Sequence, residues 1–183
     1  MDFSRVYPAL FPPRWKGASS IEAHPLLEAD PRSPYIGVAH HRHWRQRLIT
    51  RDELFSMAMG WEELLRASIE NLTAEPAVWE SEHFVDGHAV VLRHRQDGLR
   101  PGACRVLDKG FIRAAGELFR SELVTCSIPT ADVIYAADGG PLNNQVHTAM
   151  KRWSQSRFEG GGEQALSPAL YVFRDGELCG FID

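Results

Sequence analysis

The sequence predicts an α+β fold, an antiparallel sheet built from hairpins with about four amphipathic helices packed mainly on one face. Two Asp-Gly dipeptides, Asp86-Gly87 and Asp175-Gly176, lie between strand-prone apolar runs. Residues that tolerate positive φ there let a two-residue turn match the twist of its flanking strands. Several other segments repeat apolar residues at helical spacing. With 183 residues, 44% hydrophobic and 24% charged, the chain can bury a core without disulfides or metal. Its organisation is read as one domain over residues 1–183, an extended proline-rich arm at 1–34 leading into an α+β body at 35–183.

Prolines at 12, 13, 25, 31 and 34 remove backbone donors and disfavour helix, so residues 11–34 are expected to run as an extended arm. Tyr35 to His41 and Trp44 to Ile49 suit two strands. The second leads into Thr50-Arg51-Asp52-Glu53, a capping box in which Thr50 and Glu53 satisfy reciprocal backbone donors, so a helix starts there. Trp61, Leu64, Leu65, Ser68, Ile69 and Leu72 form one face of a second helix, with Glu62, Glu63, Arg66 and Glu70 opposite and Pro76 beyond its end. Val78 to Val85 and His88 to Arg95 make a hairpin about Asp86-Gly87.

Leu107, Phe111, Ala114, Ala115 and Leu118 mark a third helix. Gly110 and Gly116 each weaken it by about 1 kcal/mol relative to alanine, so packing must hold it. Glu122 to Ser127 and Asp132 to Ala137 are strands around Pro129-Thr130, Leu142 to Trp153 is a fourth helix, and Gly160-Gly161-Gly162 is a loop. A last hairpin pairs Ala169 to Arg174 with Glu177 to Ile182 across Asp175-Gly176.

Cys104, Cys126 and Cys179 are odd in number, widely separated and outside any C-x-x-C spacing. Neither a disulfide framework nor a thiolate zinc site is signalled, and a cytoplasmic setting is expected. No stretch approaches the ~20 apolar residues of a membrane span, and residues 1–13 lack the basic start and long apolar run of a secretory signal. The net charge of −4 is unevenly spread, with +3 over residues 1–50 and −5 over residues 51–100. Such polarity bears on partners rather than on fold.

Val6-Tyr7-Pro8, Leu48-Ile49 with Asp52-Glu53-Leu54, Glu63, Ala67, Asn71-Leu72, Leu107, Phe111, Ile128-Pro129 with Asp132-Val133, then Leu166 to Tyr171 and Asp175-Gly176 follow one another in an order and spacing that resembles the YtpQ family. That is a bacterial family of unknown function, and the likeness covers nearly the whole chain from about residue 6. The resemblance implies a fold and no activity, because the matching positions are mostly apolar or turn residues. The basic cluster at residues 40–47 lies outside the family pattern.

On a strand, His41 and His43 share a face and could hold a metal with a third ligand from His83, His88 or His94. Arg42 and Arg45 beside them oppose a divalent ion and no H-E-x-x-H pattern occurs, so no metal and no cofactor is assigned. Ser127, Ser154 and Ser167 lack a G-x-S-x-G elbow, and Cys126 sits in an apolar strand where burial quiets a thiol. Asp132 reads as a turn carboxylate, and Glu62-Glu63 as a first-turn pair favoured by the helix dipole. Gly160 to Gly162, bracketed by Glu159 and Glu163 with no following lysine, reads as a linker. No catalytic residue is assigned.

The most informative functional feature is electrostatic. His43, Arg45 and Arg47 share one strand face beside Trp44, and Val91, Arg93 and Arg95 share a face of the hairpin. If these strands are neighbours, their solvent side is a cationic plate. The expected function is a non-enzymatic intracellular protein-binding module, for example an immunity-type inhibitor that neutralises a toxin or effector by direct contact. Its partner-binding residues would be His43, Trp44, Arg45, Arg47, Arg93 and Arg95, facing an acidic protein surface, with homo-oligomerisation left open. One alternative is RNA or other polyanion binding through the same face, with Trp44 as a stacking surface, which the net negative charge disfavours. Another is a metal-dependent hydrolase using His41 and His43. No membrane partner is expected.

Overall fold

The computed structural model describes the chain apart from residues 1, 14, 16–19, 43–44, 85–88, 96–101, 141–143 and 183, with backbone alone at 42, 45, 82–84, 89–92 and 144. Antiparallel pairing organises it, and produces two sheets where the sequence predicts one. In the first sheet, β1 (Val6–Phe11) pairs with β3 (Tyr35–Arg42) from Val6↔His40 to Phe11↔Tyr35. The other edge of β3 carries β2 (His24–Pro25) at one end and β4 (Arg45–Leu48) at the other. The sequence gives little sign of β1, because Pro8 interrupts the strand signal. Proline is tolerated here because β1 is an edge strand.

The second sheet has the order β10-β9-β7-β8-β6-β5 with every neighbouring pair antiparallel. Its strands are β5 (Glu80–Phe84), β6 (Ala89–Arg95), β7 (Leu123–Ser127), β8 (Val133–Asp138), β9 (Leu170–Arg174) and β10 (Glu177–Ile182). The two expected Asp-Gly hairpins form its two edges. Asp175 and Gly176 have φ of +51° and +81°, the left-handed pair that a type I′ turn demands. A Cβ at Gly176 would also lie 2.5 Å from the Lys109 carbonyl oxygen, so only glycine fits. The β5–β6 ladder runs from Glu80↔Arg93 to Phe84↔Ala89 and brackets Asp86-Gly87, which lies outside the described residues.

Strand alternation divides the second sheet into two apolar faces. Val124, Cys126, Ile134, Ala136, Tyr171 and Phe173 join a core with Tyr7, Leu10 and Ile36 of the first sheet and with Phe111, Ile112 and Ala115 of a helix over Lys109–Phe119. Val133, Tyr135, Ala137 and Leu170 form the other cluster, under Val146, Met150 and Trp153 of a helix over Asn144–Gly160. Helices therefore cover both faces of this sheet, and β8 is correspondingly buried along nearly its whole length. Two further helices, α1 (Arg51–Ser56) and α2 (Trp61–Thr73), place Leu54 and Leu64 against Val6 and Val38 of the first sheet and against Ile49, which follows β4. In chain order the helices over Lys109–Phe119 and Asn144–Gly160 are α3 and α4.

Two helices differ from expectation. Leu118 is 63% exposed, because the buried stripe of α3 runs through Phe111, Ile112, Ala115 and Gly116. A Cβ at Gly116 would come within 2.7 Å of the Ser121 carbonyl oxygen, where the chain folds back under the helix. That return uses Arg120 in the left-handed region, φ +56°, and a Ser121 N–H that donates to Gly116 O at 2.9 Å. α4 continues past Trp153 to Gly160, anchored by the buried Ser154, whose Oγ accepts from Ser127 Oγ at 2.7 Å and donates to Pro168 O at 3.2 Å.

No periodic pattern announces the residue that joins these parts. Arg105, on a 3-10 helix over Gly102–Leu107, is 1% exposed. Its Nη1 donates to Leu72 O at 2.7 Å and Nη2 to Glu75 O at 3.0 Å, so the cation sits at the carbonyl end of α2. The same Nη1 lies 3.1 Å from Asp108 Oδ2, while Asp108 Oδ1 accepts from Phe111 N at 3.0 Å and caps the start of α3. Each charge complements one helix dipole and the two charges touch. Phe111 lies beneath the guanidinium, 5.7 Å from it, and Trp79 stacks on that ring while donating Nε1–H to Phe111 O at 2.9 Å.

Removing one half of a buried ion pair strands the other charge. Arg105→Met is therefore expected to lower unfolding free energy by about 3–5 kcal/mol in urea titration. A loss below about 1 kcal/mol would show that the guanidinium does not hold the helices. Arg120→Gly should stabilise the fold by about 1 kcal/mol in the same assay by relieving a left-handed non-glycine residue.

Candidate partner-binding surface

The two basic strands do not come together, since β4 belongs to the first sheet and β6 to the second. Each described arginine also meets a carboxylate of its own chain. Arg47 Nη2 lies 2.6 Å from Glu53 Oε1, Arg93 Nη2 lies 2.9 Å from Glu80 Oε2, and Arg95 Nε lies 3.2 Å from Asp132 Oδ2. Glu80 is the cross-strand partner of Arg93, so the ladder itself delivers that neutralisation. Arg45 lies on β4 opposite Arg42, both described by backbone alone, and His43 and Trp44 lie outside the described residues. A continuous cationic plate is thus not formed by Arg47, Arg93 and Arg95. The free positive charge from which an acidic partner was expected is taken up within the chain at these three positions.

The histidines are likewise dispersed. His41 is buried on β3 with its ring 4.9 Å from that of Tyr7. His94 is buried on β6, Nδ1 2.9 Å from Val78 O and its ring edge-on to Phe111. These two lie in different sheets, His83 is described by backbone alone, and His43 and His88 lie outside the described residues. Among the described residues no group of three metal-ligating side chains converges.

The hydroxyl and thiol groups are engaged in packing. Ser127 bonds Ser154, and Ser167 Oγ accepts from Tyr171 O–H at 2.9 Å. That phenol also reaches the buried Asp30, tying the arm to β9, and burial pushes its ionisation upward. Burial likewise pushes the Cys104 thiol up to about 12 and the Cys126 thiol higher. Asp132 accepts from Thr130 Oγ1 at 2.8 Å as a turn carboxylate, in addition to its ion pair with Arg95. Gly160 closes α4, and Gly162, φ +54°, opens a short 3-10 turn over Gly162–Gln164.

A surface that the sequence pattern does not single out follows β4. Both bonds of the capping box form: Glu53 N donates to Thr50 Oγ1 at 3.3 Å and Thr50 N to Glu53 Oε2 at 3.1 Å. The helix so begun ends after six residues, at Met57, with Ala58 in the left-handed region at φ +50°. α2 then starts at Trp61 with Gly60 as its cap. This tight corner lays Leu54, Met57, Met59 and Trp61 partly against the first sheet and leaves Phe55 89% exposed.

Ion pairs ring the corner. Arg47 meets Glu53, Arg51 Nε lies 3.1 Å from Glu22 Oε2, and Glu22 Oε1 lies 3.2 Å from His24 Nε2. The His24 ring stacks on Trp61 at 5.3 Å. The hydrogen bond from Arg47, then that from the Thr50 backbone, holds the Glu53 carboxyl below its ordinary value of 4.5.

No family model, curated protein or solved structure matches this chain. Locally, the exposed Phe55 is followed along the chain by the partly buried Met57, Met59 and Trp61, with ion pairs at Arg47–Glu53 and Arg51–Glu22 nearby.

Because the Glu53 carboxyl is depressed in the folded state, its stabilising contribution is present above pH 4.5 and is lost as pH falls through the lower folded value. Glu53→Gln should lower stability at pH 7 by about 0.5 kcal/mol, a figure reduced for solvent screening, and the difference from wild type should shrink as pH falls below 4.5. Equal stability of the two proteins across the whole range, by thermal unfolding, would refute the coupling of Glu53 to Arg47.

Proposed function

We propose that this chain is a non-enzymatic protein-binding module of the cytosol, and that it engages its partner through the corner between β4 and α2. Phe55 carries this reading. A phenylalanine 89% exposed forgoes about 1.5–3 kcal/mol of burial that folding alone leaves unused, and a docking protein recovers it. The neighbouring Met57, Met59 and Trp61 extend the contact, and β4, with Arg45 and Arg47, borders it through the Arg47–Glu53 pair. An immunity-type inhibitor that blocks a toxin or effector by direct contact is one form of this activity. Kinship with the YtpQ family belongs to the same proposal, on the residue pattern alone. The three cysteines are free, two of them buried, which supports a reducing compartment. No helix among the described residues is long and apolar enough to cross a membrane.

The ion pairs at Arg47, Arg93 and Arg95 weigh against a polyanion as the partner, because those cations are already neutralised. Affinity capture from the native host, using wild type, Phe55→Ser and Arg45→Glu/Arg47→Glu as parallel baits, tests the proposal. Proteins retained by wild type should be lost from Phe55→Ser and altered in amount with the arginine variant, while the melting temperature of Phe55→Ser stays within experimental error. Identical capture by all three baits would overturn it.

A further inference from the structure

The corner also specifies the charge of whatever covers it, an inference that rests on the protein-binding reading above. Two of its cations are engaged internally, Arg47 with Glu53 and Arg51 with Glu22, and the exposed Arg66 lies one turn beyond Glu62 on α2. Its carboxylates are not all used. Asp52, Glu62 and Glu63 are exposed, and no cation among the described residues pairs with them. Asp52 precedes Phe55 by three positions on α1, so their side chains share a helix face. Glu62 and Glu63 follow Trp61 in the first turn of α2, where the helix dipole offsets part of their charge.

The corner thus carries the exposed Phe55 and the partly buried Met57, Met59 and Trp61 together with the exposed carboxylates of Asp52, Glu62 and Glu63. Such carboxylates repel nucleic acid and anionic lipid and attract a partner that brings its own cations. Met57 and Met59 are unbranched and polarisable, so they can mould around the side chains of a docking helix. We propose that Phe55, Met57, Met59 and Trp61 receive the apolar face of a cationic amphipathic helix presented by another protein, with its lysines or arginines reaching Asp52, Glu62 and Glu63.

A displayed library of random peptides about 16 residues long, roughly four helical turns, can be selected on the wild-type chain and counter-selected on Phe55→Ser. The enriched peptides should be net positive, with apolar residues three and four apart. Their affinity should fall several-fold at higher salt and again in the Asp52→Asn/Glu62→Gln/Glu63→Gln variant, whose exposed substitutions leave the fold intact by circular dichroism. Enrichment of Phe55-dependent peptides that are neutral or acidic, or that bind the neutralised variant as tightly, would overturn the cationic-helix inference and leave the protein-binding reading standing. A selection with no Phe55-dependent enrichment would overturn both.

Discussion

A guanidinium with almost no access to water must find oxygen atoms, and Arg105 finds them at the two places where this fold most needs a charge. The carbonyl end of α2 offers Leu72 and Glu75, and the amide end of α3 is capped by Asp108. Transferring both charges from water opposes folding, and their attraction with the attached hydrogen bonds offsets that opposition. The net gain is modest, whereas the geometric consequence is large. With the pair in place, α2 on the first sheet and α3 on the second have one relative position, and Trp79, Phe111 and His94 pack around it. Among the described residues, Arg105 Nε meets no acceptor, so the cation is held through its two Nη groups.

Stability concentrated at that junction separates folding from recognition. α1 contains no buried residue, and Phe55 makes little contribution to the core. The corner can therefore present aromatic and methionine side chains without weakening the frame beneath it. Its ion pairs with Arg47, Arg51 and His24 then shape the rim around the patch. Surface pairs of this kind add little stability, and their value lies in fixing which charges stay available to a partner.

Local chemistry was legible in the sequence wherever a few adjacent residues decide the outcome. The Thr50–Glu53 box, the Asp175-Gly176 turn and the apolar stripe of α2 are of this kind. The Arg93–Glu80 pair was also within reach, because the two residues lie equally far from the Asp86-Gly87 centre. Long-range choices were not. The division into two sheets depends on which strands meet across the chain, and Pro8 hid β1. Arg105 reads as an ordinary surface residue until Leu72 and Glu75, about 30 positions away, supply its acceptors. Phe55 was missed because α1 stops at a left-handed Ala58, which carries none of the glycine signal that marks a helix end.

Native-state hydrogen exchange tests the central role of the Arg105 pair most directly. The amides of Ala74 and Glu75 at the end of α2 and of Ile112 at the start of α3 are each hydrogen-bonded next to it. They should exchange with one common free energy equal to that of global unfolding, while Leu54 and Met57 in α1 exchange at a lower one. Separate, sub-global openings of the α2 and α3 amides would mean that the buried pair does not unite the two halves of the molecule.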